Sequence, residues 1–174
     1  MLQFEKHKEM SMFLTAFTQA AIGIFSSFST SPVTAKGARK LETPVPKADI
    51  YGTIHLTGTT SGKVEVALNK DMARQLAANI ALCDPDQLSD DDIYDGVGEV
   101  INQIAGHTRT KLWDKGYKTE ISIPVVTPKS NRSEFGEKNK QAIYVIDFDC
   151  SAGFVVLQIC LRITKAKPVP VVQS

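Results

Sequence analysis

A chain of 174 residues suits one domain with a sizeable core, and 43% hydrophobic with 22% charged residues is the balance of a globular protein rather than a disordered or fibrous one. Lysine and arginine (20) nearly match aspartate and glutamate (19), which excludes a general attraction for nucleic acid or an anionic membrane. Three cysteines without a CxxC pair and the scattered His7, His55 and His107 exclude a structural zinc site, and the odd cysteine number suits a reducing cytoplasm.

Residues 1–10 are expected to be a loose end. From Ser11 to Phe28 the side chains Phe13, Phe17, Ile24 and Phe28 recur at helical spacing, predicting a helix that packs on a sheet. Its apolar part, Met12–Phe28, is short for a membrane span, carries Thr15, Thr18 and Gln19, and follows Glu5 and Glu9 where a secretory signal has basic residues. An internal amphipathic helix is the better reading. Pro32 disfavours helix at the residue before it, and Gly37, Pro44 and Pro46 make the stretch to Asp49 an extended edge segment.

Ile50–Gly58 and Lys63–Leu68 alternate apolar and polar residues around TTSG, the pattern of a hairpin with one wet or half-buried face. Asn69 can cap a helix over Lys70–Leu82, which turns Met72, Leu76 and Ile80 one way and stops at Asp84-Pro85-Asp86. The stretch Ser89–Leu112 is the most informative. Ser89 is a good N-cap, and Asp90, Asp91 and Asp92 are favoured by the helix dipole in the first turn. On this helix Asp95, Glu99, Asn102 and Gly106 share one stripe, while Ile93, Val97, Val100, Ile101, Ile104 and Leu112 lie opposite.

Tyr117–Val126 alternates as a strand, with Pro124 marking a bulge, an edge or its end. Thr127–Lys140 is polar and long for a connection in a compact domain. Gln141–Cys150 and Phe154–Lys165 read as a second hairpin turned at Ser151-Ala152-Gly153. Its nearly continuous apolar second strand belongs deep in the sheet or in a subunit contact. Residues 166–174, with Pro168 and Pro170, are expected to be an edge strand or a loose tail. The fold class expected is α+β, an α/β sandwich with two long helices on one face of a largely antiparallel sheet, forming a single domain over residues 1–174.

Chemistry rests on Glu99 and Asn102, three residues apart and therefore neighbours on the helix surface. An amide both donates and accepts hydrogen bonds and can hold a water at a fixed angle, while a carboxylate can bind a cation on a partner. Gly98 and Gly106 each cost the helix about 1 kcal/mol relative to Ala, and their missing side chains would clear space for close docking. Spacing alone leaves two readings open: a solvated helix face, or a site that positions water against a substrate brought by another molecule. Trp113 at the helix end reads as core or interface packing, and His107 as an exposed structural histidine.

The segment DGVGEVINQIAG at 95–106 resembles the signature helix of the CheC/CheX/FliY family of chemotaxis phosphatases, with Asp95, Glu99 and Asn102 at the family's spacing and Pro124 near the place of its proline. YGTIHLTGTTSGKVEVALNKDMARQLAANI at 51–80 looks like that family's hairpin and following helix, and FVVLQICLRI at 154–163 like its last core strand. The resemblance implies a phosphatase acting on the aspartyl phosphate of a CheY-like response regulator. In it Asn102 aligns the attacking water, Glu99 pairs with the regulator's phosphate-contacting lysine, and Asp95, Gly98 and Gly106 help dock the partner. It implies no cofactor of the chain's own, since Mg2+ comes with the regulator, and a cytoplasmic homodimer. The first helix offers Thr15 and Thr18 where the later one has Glu99 and Asn102, which favours the single-site, CheX-like branch. A non-catalytic module that binds a regulator or a motor or receptor complex is the alternative, and a structural oligomerisation domain is a third reading.

Overall fold

A computed structural model of the chain describes residues 2–29, 31–41, 48–131, 135, 141–151 and 153–164, with side chains from residue 7 onward. Its helices are α1 (Leu2–Ser27), α2 (Lys70–Ala81) and α3 (Asp90–Trp113). Its strands are β1 (Thr34–Ala35), β2 (Arg39–Leu41), β3 (Ile50–Gly58), β4 (Thr60–Leu68), β5 (Thr119–Ile121), β6 (Val125–Pro128), β7 (Ile143–Cys150) and β8 (Gly153–Ile163). Ala152 of the expected turn, much of the 127–140 loop and the 166–174 tail lie outside the described residues.

The strands form one antiparallel sheet in the order β1-β7-β8-β4-β3-β5, with β2 also on β7 and β6 also on β3. Both edges are therefore made of paired short strands. The expected extended segment before Asp49 supplies one edge, where Arg39 clasps Asp147 through bonds of 3.0 and 3.1 Å. The expected long polar loop begins instead as β6, because Val125 and Val126 continue the ladder on Thr53 and Gly52. Of TTSG only Thr59 lies in the turn between β3 and β4. Thr60-Ser61-Gly62 already pairs with Ile163-Arg162-Leu161, and Gly62, at φ +145°, lies so close to the Cys160 carbonyl that no side chain fits there.

On one face Ile50, Ile54, Val64, Val66, Leu68, Leu157 and Ile159 meet the helices in a single core. Among the described residues three helices cover that face rather than two long ones, since the shorter α2 wedges beside α3. Residues 2–10 are not a loose end: α1 begins at Leu2, Glu9 accepts a 2.9 Å bond from the Tyr117 hydroxyl, and Met10 packs against the core. Thus extended, His7–Ser27 is long and apolar enough to cross a membrane by length and composition, yet its Phe13, Phe17 and Phe25 are spent on the sheet. The opposite face, expected to be wet or half-buried, holds a second apolar cluster of Tyr51, Ala67, Phe135, Val145 and Val156. Within that face Glu65 is only 3% exposed, and it accepts bonds from Gln158 at 2.7 Å and Thr53 at 3.2 Å. β8 lies deep in the sheet, between β7 and β4 and buried on both faces.

Asn69 precedes α2 but does not cap it. Its Oδ1 accepts the Phe154 amide at 3.0 Å, and Asp49 Oδ2 takes the Lys70 amide at 2.9 Å instead. Gly153 makes this exchange possible, since a Cβ there would come within 2.6 Å of Asn69 Oδ1.

Candidate functional site

The seat of α3 is fixed before its exposed face is considered. Ser89 and Asp92 form a capping box: the Ser89 hydroxyl and amide both donate to Asp92 Oδ2, at 2.6 and 2.9 Å, and the Asp92 amide donates back to Ser89 Oγ at 3.2 Å. The bond from the Ser89 hydroxyl, then that from its amide, holds the Asp92 carboxyl below the ordinary range. Ile93, Val97, Val100, Ile101, Ile104 and Leu112 are buried as their spacing predicts.

Two glycines bring the helix unusually close to its neighbours. A Cβ on Gly52 of β3 would stand 2.9 Å from Val97 Cγ1, and one on Gly96 would stand 2.5 Å from the Ala77 Cβ of α2. Sequence spacing did not reveal either approach, because a close crossing depends on which helix lies opposite.

The outward face carries the expected stripe. Asp95 and Glu99 are exposed, Asn102 and Gly106 half-buried. Glu99 Oε1 accepts a 2.7 Å bond from Gln103 Nε2, a partner that the four-residue spacing could have signalled. Among the described residues neither the Asp95 nor the Asn102 side chain has a hydrogen-bond or ion-pair partner, so the Asn102 side-chain amide keeps both its donor and its acceptor available. Gly106 opens onto free space. Gly98 differs: it is buried, and its Cβ position lies 3.5 Å from Val126 and 3.8 Å from Pro124. It therefore serves the seating of the sheet edge on α3 rather than offering an open surface.

Pro124 stands where the strand breaks. β5 and β6 both pair with β3, and Ser122-Ile123-Pro124 separates them. Farther along α3, Trp113 is not core; it stays on the surface with the Lys118 ammonium 5.6 Å from its ring centre. His107 is exposed as expected. On α1, Thr15 and Thr18 spend their hydroxyls on the carbonyls of Ser11 and Leu14, at 2.9 and 2.7 Å, and form no counterpart to the α3 pair.

Chemically the face offers a carboxylate and an amide on a seated helix. A groove of about 560 Å³ between α1 and β7, lined by His7, Met10, Lys40 and Tyr144, contains neither Glu99 nor Asn102. Among the described residues no three His, Cys, Asp or Glu side chains gather as a metal site. Such a surface fits a substrate that is itself a folded molecule.

Residues 50–149 match the family model described as chemotaxis phosphatase CheX. A comparison with curated proteins gives no match. Among solved structures, the chain is similar to a chemotaxis protein CheX from Desulfovibrio desulfuricans, with 22% identity and a TM-score of 0.73 over 86% of this chain and 99% of that one. A chemotactic CheC-like protein from Shewanella oneidensis has 21% identity and a TM-score of 0.74, over 87% and 98% of the two chains. The CheX–CheY–BeF3–Mg2+ complex from Borrelia burgdorferi matches with 18% identity and a TM-score of 0.69, over 86% and 97%.

Proposed function

The chain belongs to the CheX family of chemotaxis phosphatases, and from that premise we propose that it hydrolyses the aspartyl phosphate of a CheY-like response regulator. The observation that carries this reading is the Glu99–Asn102 pair, side by side on a seated helix, with the Asn102 amide committed to no described residue.

In the proposed mechanism Asn102 holds a water in line with the phosphorus. The water oxygen bonds to phosphorus as the bond to the regulator's aspartate breaks; the aspartate leaves as carboxylate, and the water's protons leave with phosphate and solvent. Glu99 keeps one oxygen on Gln103 and offers the other to a cation of the regulator. Phosphoryl transfer is governed by positioning and electrostatics, so two placed side chains can suffice. The charge-neutralising Mg2+ would belong to the regulator, in keeping with a relative whose complex contains CheY, BeF3 and Mg2+. Asp95 and Gly106 border the pair and would contact the partner, in a cytoplasmic protein that works as a homodimer.

The test mixes the protein with a CheY-like receiver domain phosphorylated by acetyl phosphate in Mg2+ and follows phosphate release. Asn102→Ala is expected to slow release by about 100-fold or more while binding survives, the scale of losing a positioned hydrogen-bonding group. Glu99→Ala is expected to weaken binding about tenfold as well as slow turnover, because a charge-assisted contact is lost. Regulator binding with no acceleration by the intact protein would leave a non-catalytic binding module.

A further inference from the structure

Five large hydrophobic side chains are exposed among the described residues: Leu82, Trp113, Ile123, Val125 and Phe154. Ile123 and Val125 stand together at the outer edge of the sheet, beside α3, and Ile123 is 85% exposed. Single exposed apolar residues are common and explain nothing by themselves. The setting of Ile123 is what separates it from Leu82.

Ser122 hooks the break in the strand to β3. Its amide donates to the His55 carbonyl at 2.9 Å, its hydroxyl oxygen accepts the His55 amide at 3.0 Å, and its hydroxyl donates to the Ile123 carbonyl at 2.9 Å. On the other side the Pro124 ring lies against α3 at Gly98, one helical turn from Asn102. The backbone of Ile123 is thereby anchored at both neighbours, while its side chain points away from the fold. A β-branched side chain is stiff at χ1, so little rotamer freedom is lost when it is covered. The result is a rigid apolar knob on the same element that braces the Glu99–Asn102 helix.

Resting on the phosphatase reading, we propose that Ile123 is a docking residue for the response regulator, seating on an apolar patch of the receiver domain beside its phosphorylation site while Glu99 and Asn102 enter that site. The stripe supplies contacts for a cationic, phosphate-bearing centre, and Ile123 supplies affinity and partner choice next to it. The occupant follows from this continuity: Pro124, next to Ile123, packs on α3 at Gly98, one helical turn from the Asn102 to which the partner would present its phosphoryl group.

The experiment compares the intact protein, Ile123→Ser, Ile123→Leu and the control Leu82→Ser in phosphate release, with the acetyl-phosphate-charged receiver domain in Mg2+ varied in concentration. Ile123→Ser is expected to raise KM about tenfold with kcat within about twofold, equivalent to about 1.4 kcal/mol of binding. Ile123→Leu should stay within about threefold of the intact protein, and Leu82→Ser, at the 91% exposed end of α2, should match it. An unchanged KM in Ile123→Ser, with the intact protein active and Asn102→Ala inactive, overturns the docking role and leaves the phosphatase reading standing. An intact protein that releases no phosphate removes that reading and the proposal with it. A KM rise that tracks a fall in Tm, or Ile123→Ser shifting a dimer to monomer in sedimentation velocity, also overturns it, assigning Ile123 to the fold or to a second copy.

Discussion

Asn102 and Gln103 are adjacent amides with different lives: Gln103 holds Glu99 in place, and Asn102 holds nothing that is described. Residue type alone does not separate them. Another residue ties the start of α1 to the sheet. Tyr117 packs edge-on against Phe13, with ring centres 4.9 Å apart, and donates to Glu9. Burial, then the bond to the Glu9 carboxylate and that carboxylate's charge, pushes its phenol up to about 12. In the unfolded chain the phenol ionises near pH 10, so between about pH 10 and 12 the folded state holds a proton that the unfolded state has lost. Stability from this group is present below pH 10 and lost as pH rises through 12. Tyr117→Phe is expected to cost about 1 kcal/mol at neutral pH and to flatten the alkaline decline, as denaturant unfolding at pH 7 and pH 11 would read. An unchanged alkaline slope would mean that another group causes it.

At the scale of elements, two glycines on α3 with the same cost in helix propensity do opposite things. Gly96 lets α2 come so close that a Cβ would meet both the Cβ and the Cα of Ala77, at 2.5 and 2.7 Å. Gly96→Ala should therefore destabilise by about 1–3 kcal/mol despite the gain in propensity, since α2 must move off α3. Gly106 meets nothing within 4 Å, and Gly106→Ala should stabilise by up to about 1 kcal/mol while crowding the proposed docking face. Denaturant midpoints read both changes; equal signs would refute this division. The buried stripe of α3 and the cap at Ser89 were legible in the sequence because both are set by neighbours within one or two turns. The cap of α2 was not, because Asp49 and Phe154 lie far from Asn69 in the chain and meet it only in the fold.

For the whole molecule, the order of strands sets the order of stability. β4 and β8 are paired on both sides, whereas among the described residues β5 and β6 each meet β3 alone. Native-state amide exchange should accordingly be slowest in β4 and β8 and fastest at β5 and β6. Protection of β6 equal to that of β8 would reveal a further strand paired beyond it. The same edge carries Pro124 and Ile123, which places the proposed docking knob on a locally anchored segment at the rim of the sheet.

Much of the architecture was readable in advance, because alternation in β3 and β4 and the helical spacing in α1 and α3 are local records of one-sided burial, and the continuous apolar run of β8 is a record of burial on both faces. The α+β class, the antiparallel sheet and the Asp95–Glu99–Asn102 stripe follow from such periods, and for β8 they left open the sheet interior or a subunit contact, until its place between β7 and β4 showed the first. Local patterns do not say what covers a face or how near two elements come. The second apolar cluster behind the sheet, the start of α1 at Leu2 held through Glu9 and Tyr117, and the burial of Gly98 by Pro124 and Val126 were decided by tertiary packing. Each brings together residues distant in the chain, and a sequence period carries no information about such a meeting.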